Sequence, residues 1–218
     1  MEFITLKLSD LHKYGSAYFD YLALRKRFFV DTLNWTIPHD DAVEMDQYDN
    51  PQARYSIVLQ DGKVIAGARA MPTTSRWGDS TYMLRDAYTG KIAGIPSDLI
   101  DHEIVTPDMW ECTRLVISPD VKTMSERTEC LKLICEGLVE MALAEGATEL
   151  MSLSNLWLLR SLKSIGYKAE LMCKPYTNSE DGHRYAVMKM HADRIMPTVT
   201  PHVPTHMPTQ PVPVHAKA

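Results

Sequence analysis

"MWECTRLVISPDVKTMSERTECLKLICEGLVEMALAEGATELMSL" runs from Met109 to Leu153, and its reading decides the fold. The run Met109–Ser118 predicts a strand. Thr123-x-x-Glu126 fits a capping box, in which each side chain satisfies the other's backbone amide, so a helix should start there and continue to about Glu145. Gly146 then supplies the stop, because a residue without Cβ takes the left-handed conformation that ends helices. The following "ATELMSL" reads as a short buried strand.

Downstream, "NLWLLRSLKSI" predicts a helix ended by Gly166, and "HRYAVMKMH" a last strand. Upstream, "RYSIVLQDGKVIAGARAMPTT" is two alternating runs joined by Asp61-Gly62, a pair that readily adopts the positive φ values of a tight hairpin turn. Arg69 lies near the end of its second strand, and Pro72 stops the ladder soon after. Residues from about Ser9 to Leu33 carry a helical period in which Tyr18, Leu22, Arg25 and Phe29 share a face. The order is helix, hairpin, strand, helix, strand, helix, strand, an α/β (α+β) arrangement. From Met196 the chain turns to Pro, Thr, Val and His, which predicts a domain over 1–195 and a flexible or polyproline-like tail over 196–218. The tail histidines read as solvated residues rather than metal ligands.

With 45% hydrophobic residues, 218 residues suffice for a sizeable core. The net charge of −5 gives no positive field to draw the molecule onto nucleic acid or an anionic membrane. The N-terminus lacks a basic leader and no stretch is apolar enough to span a bilayer, so the expected location is cytoplasmic. The four cysteines form no CxxC pair, which points to neither a disulfide framework nor a zinc site.

The chemistry concentrates in "RKRFFVDTLNWTIPHDDAVEMDQYDN", Arg25 to Asn50, where an arginine and two aromatics, Phe29 and Trp35, precede Glu44, Asp46 and Asp49. Three readings stand side by side. The carboxylates can be an acidic surface loop beside core aromatics. They can be a calcium loop, although the ligand spacing and central glycine of an EF-hand are missing. Or the stretch can line a pocket for a compact zwitterion, with Arg25 forking a carboxylate, acids holding a cation, and aromatics covering it. In "WECTR", Glu111 and Arg114 stand three apart and would point to opposite sheet faces, so a shared site predicts a bulge between them. A structural salt bridge is the alternative. The segment "PDVKTMSERT" contains no glycine, whereas tight coenzyme A binding needs backbone amides close to a pyrophosphate at that helix start.

Arg25-x3-Phe29-x5-Trp35-x8-Glu44-x-Asp46-x2-Asp49, Arg69 followed by "MPTT", and Glu111-x2-Arg114 in "WECTR" closely resemble the acyl-homoserine lactone synthases, the bacterial autoinducer synthases of quorum sensing. The resemblance implies an N-acetyltransferase-like twisted mixed sheet flanked by helices. It also implies an acyltransferase that moves an acyl chain from acyl carrier protein to S-adenosylmethionine, closes the lactone and releases methylthioadenosine. S-adenosylmethionine is then a substrate, and no cofactor or metal is expected. Arg25, Phe29 and Trp35 would form the S-adenosylmethionine side, with Asp46 and Asp49 ordering its lip and Arg69 or Arg114 holding Glu44. Glu111 is the first choice of general base and Glu44 the second.

The acyl chain should run between the Ser125–Glu145 helix and "LMSLSNLWLL". Ser152 stands about where some family members carry a threonine linked to 3-oxo chains, and Tyr88 where the family often has phenylalanine. Between Asn155 and Pro175 the chain carries Arg160, Lys163, Lys168 and Lys174 against Glu170 alone, a candidate docking patch for an acidic carrier protein or simply a solvated face. Two rivals remain: an N-acetyltransferase using acetyl coenzyme A, and a non-enzymatic module that senses S-adenosylmethionine or a related nucleoside.

Overall fold

The computed structural model describes residues 1–194, so the proline-rich segment expected at 196–218 lies outside the described residues. One mixed sheet organises the chain. Its strands are β1 (Glu2–Leu6), β2 (Arg54–Gln60), β3 (Lys63–Pro72), β4 (Met109–Ile117), β5 (Glu149–Asn155), β6 (Tyr167–Leu171), β7 (Tyr176–Thr177) and β8 (Arg184–Arg194). They lie in the order β1-β2-β3-β4-β5-β8-β6, with β7 paired to β8. All neighbours are antiparallel except β4 and β5. That parallel pair is joined by the long helix α3 (Met124–Ala144), the crossover a parallel connection requires.

The expected turn chemistry is present. Asp61 and Gly62 sit at φ 52° and 75° in the β2–β3 hairpin, and Thr123 and Glu126 form the reciprocal capping box of α3. Gly146 follows α3 at φ 87°. The period-2 alternation of the strands splits the core in two. Val58, Ala66 and Ala68 face α3, while Tyr55, Ile57 and Met71 face α1 (Ala17–Arg25). A Cβ on Gly67 would lie 2.8 Å from the Tyr21 ring of α1, so this glycine sets how closely that helix approaches β3.

The sequence-based element order needs two corrections. The Ser9–Leu33 helix is broken into a 3-10 segment at Leu8–Lys13, α1, and a π-helical turn at Lys26–Val30, with Gly15 at φ 55° between the first two. Tyr18, Leu22 and Arg25 nevertheless are buried within α1, and Phe29, inside the π turn, is buried in the same core cluster as Tyr18 and Leu22. Strands β1, β6 and β7 and the short helix α2 (Met83–Tyr88) were not anticipated; each is short, and β1 and β6 are the sheet's two edges. The last helix, α4 (Leu156–Ser164), is capped by the Asn155 side chain accepting the Trp157 amide. Among the described residues no helix is long and apolar enough to cross a membrane.

The feature that creates a site is the parting of β4 and β5. They pair only through Met109–Glu149, Trp110–Leu150 and Glu111–Met151, and no pairing continues beyond Glu111. A wedge therefore opens toward the C-terminal ends of both strands. On its β4 side, Gly67 faces Val116 and Arg69 faces Thr113, so Ala68 alone opposes both Arg114 and Leu115. This is the bulge expected from "WECTR", with Arg114 at φ 54°.

Candidate active site

The bulge turns Arg114 onto the sheet face already occupied by Arg69 and Glu111, the face covered by α1. There Arg25, Arg69 and Arg114 meet Glu44, Asp46 and Asp49 in one network. Arg25 donates from Nε to Glu44 at 2.6 Å and forks both terminal nitrogens onto Asp49 at 2.8 and 2.9 Å. Arg69 contacts Asp46 at 2.5 Å and Asp49 at 2.9 Å, and its Nε donates to the Thr113 hydroxyl at 3.1 Å. Arg114 bridges Glu44 at 3.2 Å and Asp46 at 2.8 Å. Three cations thus balance three carboxylates, which is the condition under which buried charges are tolerated.

Burial grades the network. The side chains of Arg25, Arg69, Glu44 and Asp49 are 0% exposed, and only Arg114, at 10%, keeps appreciable access. Burial by itself would push the Asp49 carboxyl up, but Arg69 and Arg25 outweigh it and hold the group well below the usual carboxylate range. Asp46 is likewise held low, against burial, by Arg69 and Arg114. Arg25, whose fork Asp49 fills, is a keystone inside the protein. The fork that the sequence reading aims at a ligand carboxylate is therefore occupied by Asp49 in this structure.

The aromatics stand beside that arginine. Phe29 and Trp35 stack with centroids 5.1 Å apart and planes inclined at 23°, and the Arg114 guanidinium carbon lies 5.6 Å from the Phe29 ring centre. The Trp35 indole donates to Asp181 at 2.9 Å. Asp181 escaped the sequence reading, although the Asp181-Gly182 pair just before "HRYAVMKMH" is itself a turn signal of the type used at Asp61-Gly62.

Glu111 occupies a different corner. Its two oxygens accept the Met83 and Leu84 amides of α2 at 2.8 Å each. Burial pushes its carboxyl up to about 7, against the pull of those two N–H bonds and of Arg69. A buried acid near neutrality beside an arginine network is suited to moving a proton at physiological pH.

Ser152 is placed apart from these groups, on the opposite face of the sheet. It lines a small apolar cavity with Cys135 and Leu138 of α3, Leu150 of β5, and Leu158 and Leu162 of α4. These are the segments expected to surround an acyl chain. Tyr88 does not reach this cavity; it ends α2 and packs with Tyr82, Leu84 and Met109 on the other side of β5. Arg160, Lys163 and Lys168 are exposed, and none has an acidic partner among the described residues. No group of three or more His, Cys, Asp or Glu side chains among the described residues is placed to hold a metal ion.

A family model described as autoinducer synthase matches residues 12–196. The chain is 26% identical over 168 residues to an acyl-homoserine-lactone synthase of Acinetobacter nosocomialis, covering 73% of this chain and 85% of that one. Among solved structures it resembles TofI in a ternary complex with an inhibitor and MTA, at TM-score 0.69 and 22% identity, over 88% of this chain and 92% of that one. It also resembles BjaI, a CoA-dependent acyl-homoserine lactone synthase solved with SAM and isopentyl-CoA, at TM-score 0.67 and 20% identity, over 88% and 84%. The structural likeness bears on the fold, a mixed sheet flanked by helices, and the match over most of the chain bears on the lineage. This chain belongs to the autoinducer synthases, the acyltransferase family that makes acyl-homoserine lactone signals.

Proposed function

We propose that the protein transfers an acyl chain from acyl carrier protein to the amino group of S-adenosylmethionine, then closes the lactone and releases methylthioadenosine. The observation that carries this reading is the wedge between β4 and β5, with Arg114, Phe29 and Trp35 on one sheet face and the apolar cavity at Ser152 on the other. A zwitterionic sulfonium and an acyl thioester need these two unlike surfaces, meeting at one opening. Arg114 orients the methionyl carboxylate, Phe29 and Trp35 cover the sulfonium and base, and the buried arginines and acids keep this wall rigid.

In the first step Glu111 takes a proton from the ammonium, directly or through water, and the freed amine attacks the thioester carbonyl. Amides of the bulged strand stabilise the charge that gathers on its oxygen. Collapse of the adduct breaks the C–S bond, so that the carrier thiolate leaves with the second nitrogen proton as the free thiol. In the second step the methionyl carboxylate attacks its own γ-carbon and expels the neutral thioether. That closure is intramolecular with a good leaving group, so positioning supplies most of its acceleration. S-adenosylmethionine is consumed, and the scheme calls on no cofactor.

The start of α3 supports a carrier protein over coenzyme A as donor. Its first amides face the Thr123–Glu126 box, where Thr123 Oγ1 accepts the Glu126 amide at 3.2 Å and the Glu126 carboxylate accepts the Thr123 amide at 3.3 Å. The Glu126 carboxylate thus puts a negative charge at the helix start, which disfavours an anionic pyrophosphate there. The test is turnover with S-adenosylmethionine and a matched panel of acyl carrier protein and acyl coenzyme A thioesters, with products read by mass spectrometry. Acyl-homoserine lactone and methylthioadenosine should appear with the carrier-protein donors. Turnover with coenzyme A thioesters alone would overturn the donor assignment, and binding of S-adenosylmethionine without product from any donor would favour a sensor.

A further inference from the structure

Trp35 belongs to the segment after the π turn and packs with the α1 side of the core, against the β1–β4 half of the sheet. Asp181 belongs to the tip between β7 and β8, in the other half. The indole Nε1 donates to Asp181 Oδ2 at 2.9 Å, and the Tyr185 hydroxyl donates to the same oxygen at 2.7 Å. The other carboxylate oxygen accepts the His183 amide at 2.9 Å, which fixes Asp181 in its turn. Burial would raise the Asp181 carboxyl, but the bonds from Tyr185, His183 and Trp35 hold it below its ordinary value. Two donors therefore meet an ionised acceptor, and such bonds are stronger than neutral ones.

The position of this bridge gives it meaning. Tyr185 pairs with Asn155, the last residue of β5, and so stands at the wide end of the wedge. Trp35 stacks on Phe29, over which Arg114 of the β4 bulge is placed. The contact joins residues 146 apart in sequence and spans the opening between the two halves of the sheet. Without it, nothing in the hydrogen-bond pattern among the described residues holds the indole ring.

We propose that Asp181 and Tyr185 are positioning residues for the S-adenosylmethionine pocket: they hold Trp35 across the mouth of the β4–β5 wedge and, through its stack on Phe29, fix the wall beside Arg114. This rests on the activity proposed above. Neither residue touches the reacting atoms; both act through Trp35.

The test compares wild type with Asp181→Ala, Asp181→Asn, Tyr185→Phe, Trp35→Phe and the Asp181→Ala/Trp35→Phe double variant. For Asp181→Ala, loss of a charge-assisted bond predicts a rise of about tenfold in KM for S-adenosylmethionine, with kcat within about twofold and KM for the acyl donor unchanged. Asp181→Asn, whose amide oxygen can still accept from Trp35 and Tyr185, and Tyr185→Phe should fall between. Because Asp181 acts through Trp35, Asp181→Ala should add little in the Trp35→Phe background. Hydrogen exchange read by mass spectrometry should show residues 31–37 opening faster in Asp181→Ala, whatever the turnover. Unchanged exchange at 31–37 would overturn the bridge, and unchanged KM in an active enzyme, or equal losses for both substrates, would overturn the positioning role. Absence of product from wild type would instead overturn the activity, leaving the exchange result to decide the bridge.

Discussion

At the scale of single residues, burial separates charged groups that the sequence presents as alike. Arg25 and Arg114 both contact Glu44, yet Arg25 is enclosed with its fork on Asp49 while Arg114 retains an accessible edge. Arg25→Ala leaves two buried carboxylates short of a cation and should cost about 3–5 kcal/mol in urea unfolding. Arg114→Ala should cost about 1–2 kcal/mol, since its charge is partly solvated, but should abolish most turnover in a folded protein. Equal stability losses for the two would contradict the division between keystone and pocket wall. Glu111 makes a separate, pH-linked prediction. With its carboxyl raised from 4.5 to about 7, the rising limb of kcat/KM should have an apparent pKa near that value and should vanish in Glu111→Gln. The stability sign is the reverse of a salt-bridged acid: the folded state holds the proton longer, so the contribution of Glu111 to stability falls as pH rises from 4.5 through about 7. The spacing of these residues was legible because local chemistry clusters in the sequence. Of their mutual pairing only Arg114–Glu44 was anticipated, through the family resemblance; the Arg25–Asp49 and Arg69–Asp46 contacts are made by the tertiary fold over 24 and 23 residues.

At the scale of elements, what was readable had local chemistry behind it. The Asp61-Gly62 turn and the Thr123–Glu126 box depend on a few neighbouring residues and stand where the sequence places them. The bulge at Arg114 was legible for a different reason: two functional side chains three apart cannot share a face of a regular strand. Edge strands β1 and β6 were missed because a five-residue run gains its structure from its partner strand, and the break at Gly15 because a helical period persists across it. Helix α3 offers a test of how tightly these elements seat. A Cβ on Gly137 would collide with the Ser56 hydroxyl of β2, and that hydroxyl is buried with no hydrogen-bond partner among the described residues. Gly137→Ala should therefore destabilise by about 1–3 kcal/mol through overpacking, whereas Ser56→Ala should be neutral or slightly stabilising. Combining them should recover part of the loss, and strictly additive melting shifts would place the strain elsewhere. Because α3 closes one side of the apolar cavity at Cys135 and Leu138, Gly137→Ala should also disturb acyl-donor kinetics more than those of S-adenosylmethionine.

At the scale of the molecule, a net charge of −5 coexists with a local basic surface. On α4 the exposed Trp157 and Arg160 are three residues apart and share a stripe, Lys163 flanks it, and Lys168 follows on β6. The nearest acid in sequence, Glu170, is engaged 3.5 Å from Lys189, so it does not neutralise the three cations directly. With the carrier protein proposed above as donor, two acidic proteins gain encounter rate only if the repulsion is broken locally, and this surface lies on the helix whose Leu158 and Leu162 line the apolar cavity. The combined Arg160→Glu, Lys163→Glu and Lys168→Glu variant should raise KM for acyl carrier protein about tenfold at low ionic strength, an effect that shrinks as salt screens the charges. KM for S-adenosylmethionine and turnover of a small thioester lacking the carrier should stay close to wild type. Substitution of Trp157 by Ala should affect the same parameter without the salt dependence, since it removes apolar contact rather than charge. A carrier-protein KM indifferent to all four changes would place docking on another face, and the wedge would then have to be approached from the β1–β4 side, past Trp35.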